Sequence, residues 1–467
     1  MKTINTQSWK ASIHKIYLIL AITIGFTLSI FMPLFSEPDG QYHFMLSAYI
    51  AGKPIDSSRY SEAVAWTGMN QQINFYRTDS RFEEYFLQKA EKIDIGKVPK
   101  AIGFESLTSK LRFNLWGHLV PAIGVWFGYH IYPSLGVMAT VGRIFSMLVH
   151  SLAMYYIIRS VKKGKMIFFV VSLCPVIINT FASLSYDSTS YVLVAALIAF
   201  YINLYHKEKV EKTDIRKFIF FSLLMLVSVK FNFLPLLLIG PMILIEKQTM
   251  NEVYSRILLN KRKFSYFVIN NKKSLLILIL TMSFLVFLIF SINYGGPITL
   301  FTRLFLNYFI NFNYNPVLDL NASIGDITSI FVQPYATFNF IPVWVSCLYY
   351  AVILSVLYTD DPMEVSLLFR TVTVISLIVC FFGTITAFLK TGTNIVQGIG
   401  GSNAIIGIQG RYMTPYVLLF PLIFAVKGRK INIQPAGRVM LFSISVIILS
   451  NAMLLFNTLY AIYYMGA

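Results

Sequence analysis

The chain has 467 residues, of which 56% are hydrophobic and only 13% charged, where a soluble domain carries roughly a quarter charged residues. That composition excludes a soluble globule. The formal net charge of +18 would suggest nucleic acid in a soluble protein, but here the basic residues fall between apolar runs, which reads as membrane topology with no nucleic-acid partner.

A bilayer core demands ~20 consecutive apolar residues per helix, and the chain supplies such runs repeatedly. The first is Ile16 to Phe35, behind an arm carrying Lys2, Lys10 and Lys15. Its exit through Pro33, Leu34 and Phe35 lacks the small residues of a signal-peptide cleavage site, so it reads as a retained helix. A polar stretch, Glu37 to Ile131, follows, with ten Lys/Arg and ten Asp/Glu. Its last part, from Trp116, is apolar but interrupted by Gly117, His118, Pro121 and Gly124, a pattern of interfacial or re-entrant structure. Further spans are predicted at Val137–Ile158, Met166–Ser183, Thr189–Tyr205, Phe218–Phe233, Leu234–Ile245, Leu275–Ile292, Ile341–Tyr358, Thr371–Phe388, Pro415–Val426 and Val439–Tyr463. Pro235 and Pro241 make the Phe218–Ile245 region a bent pair. The expected fold is an all-α polytopic membrane protein, a single transmembrane domain over 1–467 with about eleven helices. Cys174, Cys347 and Cys380 all sit in apolar segments and are expected to be buried thiols, with neither disulfide nor metal spacing.

Charge tests the threading. With the N-terminus inside, the inner segments hold 24 of the 39 basic residues, as the positive-inside rule requires. Three segments then face out: Glu37–Ile131, Asn293–Phe340 and Lys390–Thr414. No phosphate-binding glycine loop, dinucleotide fingerprint or HExxH is present. Chemistry is therefore expected on the outer face. No cofactor is implied, and a divalent cation is left open.

Four places can carry it. In Ser36-Glu37-Pro38-Asp39, proline disfavours helix at Glu37. Extended chain would then project Glu37 and Asp39 together, where a carboxylate can accept a proton from a hydroxyl; alternatively Asp39 simply caps a helix from Gly40. His43, one turn on, would share its face and orient the carboxylate or contact a phosphate. Arg143, Lys230 and Asp187 are charged groups in or beside apolar runs, which face a cavity, pair or snorkel. Finally, Gln409-Gly410-Arg411-Tyr412 stands where the last outer loop enters the membrane; a guanidinium there suits bidentate phosphate recognition, or else snorkels beside a belt tyrosine. The preceding loop, with Gly392, Gly398, Gly400 and Gly401, reads as mobile.

With these residues in hand, the chain resembles the bacterial membrane family called domain of unknown function 2142, whose members look like GT-C glycosyltransferases. The resemblance covers nearly the whole chain. It is carried by Pro38-Asp39 with His43, Gly142-Arg143, Ala182 to Asp187, Lys230, and Gln409 to Tyr412 with Pro415. One departure is Gly40, where the family usually has glutamate; Glu37 could substitute for it. The resemblance implies a GT-C-like fold with the large first loop outside. It implies transfer of a sugar from a polyprenyl-phosphate donor to a cell-surface glycan, at the outer face of the bacterial plasma membrane. Asp39 would be the general base. Arg411 and Lys230, with Arg143, would hold the donor phosphate, and Glu37, His43, Asp187, Gln409 and Tyr412 would shape the sugar site. A transporter or flippase of a lipid-linked sugar, or a glycan polymerase or ligase, are the competing readings.

Overall fold

The structure is a computed structural model, and it describes residues 6–37, 39–55, 82–94, 113–246, 281, 284, 288, 289, 291–309, 331–334, 341–359, 363–389, 409–424 and 436–460. Among these the architecture is helical, with one isolated bridge between Ile55 and Lys92.

Helix α1, Thr6–Phe31, stops because Pro33 has no amide hydrogen to continue the ladder. After a tight double turn comes α2, Gly40–Ile50. Helix α3 then covers Phe113–Ile131 and α4 covers Leu135–Ser160, with Ser134 capping α4 by accepting from the Val137 amide at 3.3 Å. The predicted interruptions do not break α3. Its glycines are a packing stripe instead: a Cβ on Gly124 would lie 2.8 Å from the Cα of Gly142, and one on Gly128 2.7 Å from the Cα of Met138. Such close backbone approach is how helices associate where no hydrophobic effect drives them together. The opposite face of α3, with Trp116, Leu119, Ile123, Trp126 and Phe127, is exposed, as a lipid-facing surface must be.

The predicted Met166–Ser183 span is two helices, α5 at Lys165–Ser172 and α6 at Pro175–Phe181. Pro175 forces Cys174 out of the helical region, to ψ 154°. The carbonyl of Leu173 at this break accepts a 2.9 Å hydrogen bond from Asn451 of the last helix. Helix α7, Asp187–Tyr205, follows, then α8, Lys212–Ser228. Here too a predicted boundary moves. The chain leaves helical geometry at Val229 and Lys230, not at Phe233, continues as a 3-10 turn through Phe231–Leu238 that contains Pro235, and re-forms α9 at Ile239–Glu246.

Helices α10, Pro297–Phe309, α11, Val343–Thr359, and α12, Leu367–Ala387, lead to a segment broken by Pro415 and Pro421. It comprises α13, Gly410–Met413, a 3-10 turn at Thr414–Leu419, and α14, Phe420–Ile423. Helix α15, Ala436–Tyr460, closes the bundle.

Among the described residues, five helices are long and apolar enough to cross a membrane: Ser12–Phe31, Leu135–Ser160, Asp187–Tyr205, Leu367–Ala387 and Gly437–Leu459. Two shorter apolar ones are Phe231–Leu244 and Val343–Thr359. The expected eleven therefore reduce, among the described residues, to five full-length spans plus shorter or interrupted segments. Most of Leu275–Ile292 lies outside the described residues, as do Pro38, the glycines of the last outer loop and much of all three outer segments. One thiol departs from expectation: Cys174 and Cys380 are buried, but Cys347 is exposed on α11.

Candidate functional site

Helix direction alone brings the predicted residues to one end of the bundle. Asp39 follows the C-terminus of α1, Arg143 lies early in α4, Asp187 opens α7, Lys230 follows α8, and Arg411 opens the α13 segment.

The turn after α1 decides where its two carboxylates go. Phe35 and Asp39 have left-handed backbones, φ 61° and 58°, and the Ser36 and Gly40 amides donate back to the carbonyls of Pro33 and Glu37. The chain is coiled here, not extended, so the expected joint projection of Glu37 and Asp39 does not occur. Gly40 fits this coil, since a Cβ there would approach the Cα of Phe35 to 2.9 Å; a glutamate at that position would push the turn open.

Glu37 turns inward. Its Oε2 meets Nη2 of Arg143 at 2.6 Å, and Arg143 also donates to the carbonyls of Met32 and Pro33 at 2.8 and 3.1 Å. Those carbonyls end α1, and a guanidinium satisfies both them and the favourable charge at a helix C-terminus. Arg143 is thus committed to holding the turn, with Glu37 as its counter-ion.

Asp39 occupies the N-cap position of α2 but makes no capping bond with its side chain. Its Oδ2 instead receives Nη2 of Arg411 at 2.7 Å, a contact spanning 372 positions of sequence. Arg411 Nε lies 3.0 Å from Asp187 Oδ2, and Lys230 Nζ lies 3.1 Å from Asp187 Oδ1. Asp187 therefore bridges the two cations. The Lys230 ammonium also sits over two rings, 4.6 Å from the centroid of Tyr186 and 3.9 Å from that of Tyr412, where the π quadrupoles offset its lost hydration. Arg411 donates to the Tyr412 hydroxyl at 3.2 Å. Arg411 and Asp187 are buried and Lys230 largely so, whereas the Asp39 side chain is 45% exposed.

Local sequence explains the placement. The serines of Ala182 to Asp187 build the α6–α7 turn: Ser183 and Ser188 donate to the carbonyl of Thr180, and the Ser185 hydroxyl accepts from the Asp187 amide at 3.2 Å. Asp187 then stands at the positive end of the α7 dipole. Lys230 sits in the helix interruption. A polar knot fixes that interruption to the Arg411 segment, with Asn232 donating to Thr384 and Tyr416 at 3.1 and 3.0 Å.

His43 lies one layer behind. Its Nδ1 is 2.9 Å from Nε2 of His118, and His118 Nδ1 contacts the carbonyl of Asn114. A carbonyl only accepts, so His118 Nδ1 donates to it; His118 Nε2 must then accept from His43 Nδ1. That leaves His43 Nε2 as a bare acceptor, buried and without a hydrogen-bond partner among the described residues. Burial, then His118, Arg411 and Lys230 nearby, depress the His43 pKa well below its ordinary range, so the imidazole is neutral. Gln409, at the N-cap of α13, likewise has a buried Oε1 without a partner among the described residues.

The site thus gathers Asp39, Asp187, Lys230, Arg411 and Tyr412, with His43 and Gln409 close by, while Glu37 and Arg143 form a separate pair. Sequence reasoning gave no role to Tyr186 or His118. Tyr186 was signalled by its place beside Asp187; His118 was hidden among residues taken as helix interruptions. Among the described residues no cluster of three or more His, Cys, Asp or Glu could hold a metal.

No curated protein and no solved structure matches the chain. A family model described as "Predicted membrane protein (DUF2142)" matches residues 22–420. The multi-helical architecture agrees with that description, and the chain belongs to this family of predicted membrane proteins.

Proposed function

We propose that the chain is a membrane glycosyltransferase that moves a sugar from a polyprenyl-phosphate donor to a cell-surface glycan on the outer face of the bacterial plasma membrane. One observation carries the reading: a half-exposed carboxylate from the front of the chain meets a buried guanidinium from its tail, which Asp187 links to the Lys230 ammonium from its middle. A base beside two phosphate-binding cations is the equipment of a single displacement. The acceptor hydroxyl attacks the anomeric carbon and gives its proton to the Asp39 carboxylate. The bond from that carbon to the phosphate oxygen breaks, and its electron pair remains on the phosphate. Arg411 and Lys230 meet the charge that develops there, which is where preorganised cations contribute most. One base opposite one leaving group gives inversion.

The side of the membrane follows from charge. The basic connectors Arg159–Lys165 and Lys207–Lys217 lie at the ends of α4, α7 and α8 remote from Asp39 and Arg411, and the positive-inside rule assigns them to the cytoplasm. That supports a cytoplasmic N-terminus and a site facing out. Lipid-linked donors would reach it from within the bilayer.

The interruption at Val229–Lys230 gives a transporter or flippase some support, since such proteins bind at broken helices near the midplane. The gathering of the charges at helix ends favours the enzyme. Purified protein in lipid nanodiscs, given a polyprenyl-phosphate sugar and an acceptor glycan, separates the two. The transferase releases free polyprenyl phosphate in step with acceptor glycosylation. A flippase moves the donor between leaflets and leaves it intact, and that result would remove the enzyme reading.

A further inference from the structure

The two carboxylates hold the cations unequally. Asp187 is 4% exposed, reaches Arg411 Nε and Lys230 Nζ at once, and accepts from the Ser185 hydroxyl at 3.3 Å. It is an inner, fixed counter-ion. Asp39 is ten times more exposed, meets the terminal Nη2 of the same guanidinium, and is not tied into α2 by a capping bond. Among the described residues two carboxylates face two cations, so a phosphate entering this arrangement competes with one of them. The half-exposed carboxylate is the one that water can resolvate cheaply, since exposed ion pairs contribute little net free energy. It is also the carboxylate assigned as base, and a base whose oxygen already accepts from a guanidinium is poorly placed to accept a hydroxyl proton.

We infer that Asp39 is a displaceable counter-ion: the donor's phosphate takes its place on Arg411, and the released carboxylate then receives the acceptor's proton. The displacement stands on the geometry of the cluster, while the proton step rests on the transferase reading. Coupling the two makes donor binding the event that frees the base. The donor then binds before the acceptor, and an empty site carries no free base to activate water. Asp187, held by both cations and by Ser185, keeps Arg411 and Lys230 in place throughout the exchange.

The test measures equilibrium binding of a short polyprenyl monophosphate, and separately of inorganic phosphate, to full-length wild type, Asp39→Asn, Asp39→Ala and Arg411→Lys in nanodiscs. Both Asp39 variants should bind the lipid phosphate about twofold to fivefold more tightly than wild type, the scale of one lost, partly exposed competing ion pair, and Arg411→Lys more weakly. A parallel gain for inorganic phosphate assigns the competition to the phosphate group itself. A gain confined to the lipid assigns it to a phosphate presented from the bilayer, and both outcomes support displacement. If wild type binds and neither Asp39 variant binds more tightly, displacement is overturned and the transferase reading stands. If wild type binds no polyprenyl monophosphate, the transferase reading falls and the displacement with it.

Discussion

Two arginine–carboxylate pairs stand within one turn of chain, and they have opposite characters. Glu37 and Arg143 are sealed, with side chains 8% and 2% exposed, and Arg143 also closes off the carbonyls that end α1. Asp39 and Arg411 share a similar distance, yet the carboxylate faces out and the guanidinium is shared with Asp187 and Tyr412. A sealed pair cannot exchange partners without leaving a buried charge, so it serves to hold a shape. An open one can exchange, so it can serve chemistry. Two residues of sequence separate the roles, because left-handed turns at Phe35 and Asp39 aim successive carboxylates in different directions.

That contrast can be broken or sharpened by substitution. The largest effect is expected at the sealed pair: Arg143→Leu should destabilise the protein by about 3–5 kcal/mol by stranding a buried carboxylate, while Glu37→Leu with Arg143→Leu should recover part of the loss, the Met32 and Pro33 carbonyls staying unpaired by Arg143. Thermal unfolding in detergent reads both, and a double variant no more stable than the single would deny that the pair is self-compensating. At the open pair, Arg411→Lys keeps the charge and loses the fork; transfer per folded molecule should fall about 10²- to 10³-fold with little change in unfolding temperature. A full-rate Arg411→Lys enzyme would mean the guanidinium geometry is not used. A smaller effect is expected at the α5–α6 break, where Asn451→Leu strands the Leu173 carbonyl and should cost about 1–3 kcal/mol of stability without lowering transfer per folded molecule. The smallest is Tyr416→Phe, which loosens the Asn232–Thr384 knot and should cost about 0.6 kcal/mol; a much greater loss of transfer than of stability would show that the knot positions Lys230.

Much of this was legible in the sequence, and for physical reasons. Charge between apolar runs announces a membrane protein, because a bilayer tolerates few ionised groups. The same reasoning isolates Asp187, Lys230 and Arg411, whose burial demands partners, and the structure supplies each with the others. The resemblance assigned Asp39 and Arg411 to one site, and the structure places their side chains 2.7 Å apart. What escaped sequence reading was backbone geometry. Positive φ at Phe35 and Asp39 is not written in residue type, so the divergence of Glu37 from Asp39 could not be foreseen. Arg143 was grouped with the phosphate ligands because sequence shows an intramembrane cation but not the α1 carbonyls it closes. Gly117 and Gly124 read as weak points of a helix, whereas they and Gly128 are where α3 approaches its neighbours, and that misreading concealed His118. Pro175 split a run that looked continuous by hydropathy alone.

The decisive measurement is single-turnover transfer by Asp39→Asn beside wild type, with donor occupancy recorded in the same sample. Donor-loaded but inert Asp39→Asn protein, slowed about 10²- to 10⁴-fold as expected for loss of a general base, is the predicted result. Wild-type turnover in that variant would contradict it and leave Asp39 a surface carboxylate beside an arginine.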